Sequence, residues 1–201
     1  MAAPPGGSIR LLMVAPPGAG KGTQAERLSK RCGIEHISSG DMLRAEVARG
    51  TDAGRRAASY LQRGDLVPDE VVLDMLMERV TAAVGRGGYV LDGFPRNVRQ
   101  AEAAYQRCRG GEAELQAAVL LRVDEGELRR RLLARARAER RTDDTPAVVE
   151  HRLEVYRQET EPIVEHYRSR HILRSVDGDG PVGEVADRVV EAIADLVPAL
   201  G

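Results

Sequence analysis

The sequence predicts an α/β fold in which a five-stranded parallel sheet is flanked by helices. Short apolar runs alternate with longer stretches that have a helical period, which is the pattern of such a sheet. The runs at residues 11–14 and 119–121 are apolar at consecutive positions, as strands buried on both faces are. A chain of 201 residues, 42% of them hydrophobic, is long enough to bury one core of this kind.

The predicted elements follow one another in alternating order. Strands are predicted at residues 9–14, 36–37, 89–91, 117–123 and 171–175. Helices are predicted at residues 23–31, 40–49, 54–62, 68–84, 97–108, 125–137, 146–167 and 182–196. Five strands joined by helical crossovers give a doubly wound core.

Residues 1–201 are predicted to form a single domain, because no stretch is rich enough in Pro, Gly and Ser to be a linker. Two segments interrupt the alternation. Residues 38–67 hold two short helices and no strand, and residues 125–167 form a long helical arm with an arginine-rich turn. We expect two mobile insertions from the core and a mobile leader at residues 1–8.

Charge and cysteine content exclude several classes of function. Thirty basic residues against 31 acidic ones give a net charge of -1, so no overall field holds the chain on DNA or on an anionic membrane. The two cysteines lack the spacing of a disulfide framework or a zinc site. No apolar run approaches the about 20 residues that span a bilayer. We therefore expect a cytoplasmic protein without a nucleic-acid or membrane partner. A monomer is also expected.

The first chemical motif is a glycine-rich loop at residues 15–24, between the first predicted strand and the first predicted helix. The start of a helix points several backbone N–H groups at one spot, and glycines let an anion approach the backbone closely. Lys21 adds a positive charge for the β and γ phosphates of a nucleotide. This context predicts a phosphate-binding loop, with a glycine-rich turn and a surface lysine as the alternative.

The loop departs from the general pattern G-x-x-x-x-G-K-[ST] at two positions. Ala15 replaces the first glycine, which costs roughly 1 to 2 kcal/mol if the position needs a positive φ and little otherwise. Gly22 stands where a metal-binding hydroxyl is expected, and Thr23 follows it. The resulting Gly-Lys-Gly-Thr sequence resembles the adenylate kinase family.

Further motifs extend this resemblance over nearly all of the chain after the leader. In family order and spacing they are residues 38–44, residues 89–100 with Asp-Gly-Phe-Pro-Arg and a trailing glutamine, Arg131 and Arg135, residues 141–144 followed by Arg152, and residues 177–182. The arginines resemble those of the short-lid form. The resemblance implies a P-loop kinase core, an acceptor nucleotide-binding insertion at residues 38–67 and a short lid at residues 134–145.

The resemblance also implies the activity and the site residues, namely the reversible reaction of Mg·ATP and AMP to two ADP. The ATP phosphates would lie on Gly18, Ala19, Gly20, Lys21, Gly22 and Thr23, with the donor base near Arg131 and Gly180. Residues Ser39, Arg44, Gly93, Arg96, Gln100, Arg141 and Arg152 would hold the acceptor, with Leu61, Leu66 and Val67 around its adenine unless these three are plain packing residues. The implied catalytic residues are Lys21, Asp92, Arg96, Arg135, Arg141 and Arg152.

The chemistry of these residue types agrees with phosphoryl transfer. That reaction needs dispersed negative charge to be neutralised while water is excluded, and guanidinium groups grip phosphate through two hydrogen bonds at once. Asp92 follows a short apolar strand, at the edge of the sheet where α/β sites assemble. There it is placed to orient Mg²⁺ through bound water, with no residue binding the metal directly; a helix-capping or turn role is the alternative.

Several alternatives stay open at this point. Gln100 favours AMP as the acceptor by resemblance, but a kinase for another nucleoside monophosphate or a regulatory ATP-binding protein would show similar motifs. The seven arginines in residues 129–141 also suit an RNA-binding arm or a solvated helix face. Asp143 and Asp144 either pair with lid arginines or, in the case of Asp144, cap the next helix together with Thr145. The four histidines are interpreted as structural or surface residues.

Overall fold

The computed structural model describes residues 8–138 and 145–197. In this part of the chain one sheet contains five parallel strands in the order β2-β3-β1-β4-β5. The strands are β1 (Ile9–Val14), β2 (Glu35–Ser38), β3 (Gly88–Asp92), β4 (Ala117–Arg122) and β5 (Leu173–Asp177). The predicted five-stranded parallel sheet flanked by helices is confirmed.

Helices connect consecutive strands, and several begin at a capping side chain. They are α1 (Lys21–Cys32), α2 (Ser39–Arg49), α3 (Asp52–Arg63), α4 (Asp69–Val84), α5 (Val98–Cys108), α6 (Glu125–Ala138), α7 (Pro146–Val155), α8 (Ile163–Ser169) and α9 (Val182–Glu191). The side chains of Ser38, Thr51, Asn97 and Thr145 each accept a hydrogen bond from a backbone N–H in the first turn that follows. Thr145 thus fills the capping role considered for it.

The apolar core lies on both faces of the sheet because side chains alternate along each strand. Leu11 and Met13 of β1 belong to a cluster that includes residues of α1, α6, α7 and α9. Leu12 and Val14 belong to a second cluster, built with residues of α2, α3, α4, α5 and α8. None of the helices in the described residues is both long and apolar enough to cross a membrane.

The register of the three strands β2, β3 and β1 places their C-terminal ends, where the predicted site residues lie, side by side. Asp92, the last residue of β3, pairs with Met13 of β1 on one side and with Ser38 of β2 on the other. The chain leaves β1 through the glycine-rich loop and leaves β2 directly into α2. The phosphate-binding loop, Asp92 and the start of α2 therefore meet at one edge of the sheet, where ligands of α/β proteins bind.

The ends of most predicted elements shift by no more than two residues, and the clearest differences are in three elements. The helix predicted at residues 146–167 is divided into α7, a π-helical turn at Tyr156–Thr160 and α8, and Pro162, which has no N–H to donate, lies at the break. The last strand begins two residues later than predicted, since His171 adopts a positive φ of 59° that ends the preceding turn. Regular helix in α9 ends at Glu191, and turns continue to Leu196.

Candidate phosphoryl-transfer site

The glycine-rich loop has the local conformation that a phosphate-binding loop requires. Gly18 and Gly20 both have φ of 86°, which favours glycine, and α1 begins directly afterwards at Lys21. A β-carbon at Gly18 would lie 2.8 Å from Cγ of Leu132 and 2.9 Å from the carbonyl oxygen of Leu128. The loop therefore rests against α6, the helix that leads towards residues 139–144.

Ala15 fits the loop without backbone strain. Among the described residues other than glycine, only His171 has a positive φ, so Ala15 lies outside the left-handed region that would favour glycine. Its side chain is 4% exposed and packs in the apolar cluster that contains Leu11 and Met13. The departure from the general loop pattern is thus accommodated by the core.

Ala15→Gly is expected to leave kcat no higher than that of the parent. Glycine would remove a buried methyl group and add backbone freedom to the unfolded chain, so the free energy of unfolding should fall by about 1 kcal/mol. Steady-state kinetics and urea denaturation measure the two quantities. A variant that turns over clearly faster than the parent would show that the methyl group constrains the loop.

Asp92 is a partly buried carboxylate among positive groups. Its Oδ1 lies 3.9 Å from Nζ of Lys21, and its Oδ2 lies 3.8 Å from Nε2 of His36. Burial would raise the pKa of Asp92, but Lys21, His36 and Arg96 outweigh it and hold the pKa below its usual value. Asp92 is therefore ionised at neutral pH and presents a negative charge beside the phosphate-binding loop.

Gly22 keeps the space in front of Asp92 open. A β-carbon at Gly22 would lie 3.2 Å from Oδ2 of Asp92, closer than most such contacts in proteins. A serine or threonine at this position would therefore crowd the carboxylate. The Gly-Lys-Gly-Thr sequence and the position of Asp92 are thus matched to each other.

Three arginines, Arg44, Arg96 and Arg152, line the same cleft as the loop, and their charges interact. Nε of Arg96 donates a 2.6 Å hydrogen bond to the carbonyl oxygen of Gly93, whose φ of 82° allows the tight turn after β3. Burial lowers the pKa of Arg96; Asp92 opposes this effect, and the nearby charges of Arg152 and Arg44 add to it. The mutual repulsion of these three cations favours binding of an anion among them.

Helix α7 carries Arg152 onto the turn between α3 and α4. A β-carbon at Gly64 would lie 2.8 Å from Cγ of Arg152, so the arginine stem rests directly on this glycine. The neighbouring His151 contacts Oδ1 of Asp65 through Nε2 at 2.7 Å. Hydrogen bonds from His151 and from Arg63 hold the pKa of Asp65 below its usual value. The contact joins α7 to the segment at residues 38–67.

Arg131 on α6 reaches the loop that follows β5. Its Nε donates to Oε1 of Glu127 at 2.5 Å, and its Nη1 donates to the carbonyl oxygen of Gly178 at 3.3 Å. Its Nη2 also lies 3.8 Å from Oδ1 of Asp179. Arg131 thus contacts the loop that contains Gly180.

One cleft of about 880 Å³ contains most of the predicted site residues. Its lining includes Gly18, Gly20, Lys21, Gly22, Thr23, Arg44, Leu61, Leu66, Asp92, Gly93, Arg96, Arg131 and Arg152. Ala19, Ser39, Val67 and Gln100 are buried around it, and Gly180 lies outside its lining. Arg141 and the side chain of Arg135, together with Asp143 and Asp144, lie outside the described part of the chain.

Gln100 is 4% exposed and is held at both ends of its amide. Its Oε1 accepts a 2.7 Å hydrogen bond from the backbone N–H of Arg96, and its Nε2 donates a 2.6 Å hydrogen bond to Oδ1 of Asp69. Arg99 binds the other oxygen of the same carboxylate at 2.8 Å. Gln100 thus lies directly behind Arg96, which lines the cleft.

The sequence did not reveal two residues of this region. The sequence predicts that His36 is a structural or surface residue. In the structure it lines the cleft beside Asp92, because β2 pairs with β3. Asp69 received no role, although it holds Gln100. Each contact joins segments that are far apart in the chain, so only the order of the strands and the packing of α4 on α5 bring the residues together.

The first arginines of α6 form ion pairs with nearby carboxylates. Arg129 contacts Glu125 and Glu150, and Arg130 contacts Glu127. These carboxylates neutralise the described start of the arginine-rich segment, which agrees with a solvated helix face better than with a surface for RNA. The described residues contain no group of three or more His, Cys, Asp or Glu side chains suited to holding a metal ion.

A strand, a glycine-rich loop with its lysine, a carboxylate and a cluster of arginines around one cleft define a P-loop phosphotransferase. Comparison with known proteins gives the particular family. The family model for adenylate kinase matches residues 13–172. The chain is 46% identical to an adenylate kinase of Synechococcus sp. (strain RCC307), over 93% of this chain and 100% of that protein. It is 44% identical to an adenylate kinase of Thermobifida fusca, over 92% of this chain and 98% of that protein.

The chain belongs to the adenylate kinase family. It is therefore a phosphotransferase of the nucleoside monophosphate kinase class, with adenylate kinase function. The family resemblance of the motifs described above is confirmed. The roles of the individual site residues stay predictions.

Proposed function

We propose that this chain catalyses the reversible, Mg²⁺-dependent transfer of the terminal phosphoryl group of ATP to AMP, giving two ADP. The observation that carries the proposal is the cleft that is lined both by the phosphate-binding loop and by the arginines Arg44, Arg96 and Arg152. Positive groups on both sides suit two polyanions whose phosphates meet between them.

The donor is proposed to bind along the loop. Gly18, Ala19, Gly20, Gly22 and Thr23 would surround its phosphates through the backbone at the start of α1, and Lys21 would neutralise the transferring group. The donor base would lie between Arg131 and Gly180, and the hydrogen bond from Arg131 to the carbonyl oxygen of Gly178, two residues before Gly180, supports this assignment.

The acceptor is proposed to bind opposite, at the segment comprising residues 38–67. Arg44, Arg96 and Arg152 would grip its phosphate, while Ser39 and Gly93 shape the turn that carries Arg96. Leu61, Leu66 and Val67 would contact the adenine, and Gln100 would recognise its edge. The domain organisation proposed with this is a single kinase domain with a leader at residues 1–8 and a lid at residues 134–145.

The chemical step requires positioning and charge neutralisation. An oxygen of the acceptor phosphate attacks the terminal phosphorus of ATP, and the bond from that phosphorus to the bridging oxygen breaks as ADP leaves. The acceptor oxygen is already a nucleophile, so no general base is needed. Arg135, Arg141 and Arg152 would close over the transferring group and exclude water, which would otherwise hydrolyse ATP.

The residues around Asp92 fit a magnesium ion held chiefly by nucleotide phosphates and water. Asp92 is ionised, partly buried and next to the open space at Gly22. Its carboxylate would accept hydrogen bonds from the water ligands of the ion. When bound, the ion would neutralise charge on the donor phosphates.

Asp92→Asn is expected to raise the free Mg²⁺ concentration at the half-maximal rate by about tenfold, because the amide orders the water ligands less well. The rate measured against free Mg²⁺ tests this expectation. Asp187→Asn, which removes an exposed carboxylate paired with Arg31, is the control. An unchanged Mg²⁺ requirement in Asp92→Asn would remove this residue from metal binding.

We also propose that the protein is a monomer in the cytoplasm and that its binding partners are small nucleotides. This rests on the family, on the near-neutral net charge of -1 and on the content of two cysteines.

The test is a coupled assay of ADP formation from ATP with AMP, GMP, CMP, UMP or dAMP as the acceptor. The proposal predicts the highest kcat/KM for AMP. A higher value for another monophosphate would reassign the acceptor, and ATP binding without ADP formation would indicate a regulatory protein. Salt-sensitive binding of single-stranded RNA would point to the arginine-rich segment as an RNA-binding arm.

A further inference from the structure

The amide of Gln100 has a single orientation that satisfies both of its partners. A backbone N–H is only a donor and a carboxylate is only an acceptor, so the oxygen must face Arg96 and the nitrogen must face Asp69. Turning the amide by half a turn would place its NH₂ against the N–H of Arg96 and its oxygen against the carboxylate of Asp69. Both contacts would then be repulsive, and the group has little access to water at 4% exposure.

A freely turning glutamine would not distinguish two kinds of purine. The Watson–Crick edge of adenine presents an amino donor beside an acceptor nitrogen. The same edge of hypoxanthine or guanine presents an acceptor oxygen beside an N–H donor. Glutamine matches either edge if its amide can turn over. When its amide is fixed, Gln100 offers the base one remaining lone pair on Oε1 and one remaining N–H on Nε2. The positions of this acceptor and this donor cannot be exchanged, so they match only one of the two edges.

We propose that Asp69 is a specificity-determining residue that fixes the amide of Gln100 and thereby makes the acceptor site select a 6-aminopurine over a 6-oxopurine. Asp69 acts through Gln100 and is a positioning residue. This inference rests on the proposed function, in which Gln100 meets the acceptor base. It adds a reason for selectivity that the glutamine alone does not supply.

Asp69→Asn tests the proposal, because asparagine has the same shape and can accept from or donate to the amide of Gln100. Inosine monophosphate is the probe, since its base differs from that of AMP at the edge in question and lacks further substituents. The ratio of the two Kd values, measured by calorimetry, and the ratio of the two kcat/KM values should both shift towards inosine monophosphate by about tenfold. The KM for ATP should not change.

Asp74→Asn is the matched control. Asp74 lies on the same helix, and its carboxylate bridges α4 to α5 through Arg107 at 2.9 Å, as that of Asp69 does through Arg99. It has no contact with Gln100 among the described hydrogen bonds. Its ratio of AMP to inosine monophosphate affinity should stay within about twofold of the parent, because only an α4–α5 bridge is lost.

The outcomes separate this inference from the proposed function. A folded Asp69→Asn variant with an unchanged ratio, or with equal losses of affinity for both monophosphates, would overturn the role of Asp69. Asp69→Ser gives the same test if the asparagine variant does not fold. Failure of the parent to form ADP from ATP and AMP would instead refute the proposed function.

Discussion

Lys21→Ala is expected to lower kcat about a thousandfold while the protein stays folded. Lys21 begins α1 at the phosphate-binding loop, and its ammonium group lies 3.9 Å from Asp92 within the cleft. Without this charge the negative charge that develops on the transferring phosphoryl group loses a fixed partner. Circular dichroism and the coupled assay measure folding and turnover separately.

Lys30→Ala is the matched control, because Lys30 is the only other lysine in the chain and lies on the same helix. Its exposed ammonium group pairs with Glu26 one turn earlier. Such a pair contributes only a few tenths of a kcal/mol, so activity and folding should both match the parent. A kcat for Lys21→Ala within tenfold of that for Lys30→Ala would remove Lys21 from the mechanism.

Arg96→Ala is expected to lower kcat/KM for AMP about a thousandfold with little change in the KM for ATP. Arg96 lines the cleft near Arg44 and Arg152, where the acceptor phosphate is proposed to bind. Arg96→Lys should recover only part of the loss, because an ammonium group cannot make the paired hydrogen bonds of a guanidinium group. Steady-state kinetics with each substrate varied in turn give the two constants.

The pKa of Arg96 indicates one contribution to the stability of this variant. Burial lowers this pKa, Asp92 raises it, and Arg152 and Arg44 lower it further. The net pKa is lower in the folded protein than in the unfolded chain, so the charge of Arg96 reduces stability at neutral pH. Arg96→Ala removes this unfavourable charge together with the hydrogen bond to Gly93, and the thermal midpoint of the variant measures the balance of the two effects.

Arg99→Ala is the control for position, because Arg99 lies three residues further on and is exposed. It contacts Asp69 but does not line the cleft. Its kcat/KM for AMP should remain within about twofold of the parent. An equal loss in Arg99→Ala and Arg96→Ala would indicate a general disturbance of α5 and contradict a specific role for Arg96.

The strands and the phosphate-binding loop were predictable because their signals are local. Consecutive apolar residues at positions 11–14 indicate a strand buried on both faces, and the glycine-rich sequence that follows indicates the turn into α1. The bounds of β1 agree with the prediction, and those of β4 differ by one residue. Lys21, Asp92, Arg44 and Arg96 were found from motifs that keep their spacing, and the cleft brings them together.

Contacts between distant segments were not predictable from local patterns. His36 lies beside Asp92 only because the strand order β2-β3-β1 makes their strands neighbours. Asp69 and Gln100 are 31 residues apart and meet through the packing of α4 against α5. The break within residues 146–167 was missed for a different reason, since the apolar period continues across Pro162 and hides the change of helix.

The alternation along β1 separates the parts of the molecule that confer stability from those that confer chemistry. Every apolar side chain of this strand packs in one of the two apolar layers, whereas the loop glycines and Lys21 follow the end of β1 and Asp92 is the last residue of β3. Substitution of a cleft side chain that belongs to neither layer, such as that of Lys21, is therefore expected to change the chemistry more than the stability. An engineer who wishes to redirect the enzyme to a different monophosphate can vary such side chains and keep both layers, whereas Gly18 has no room for a side chain against Leu132.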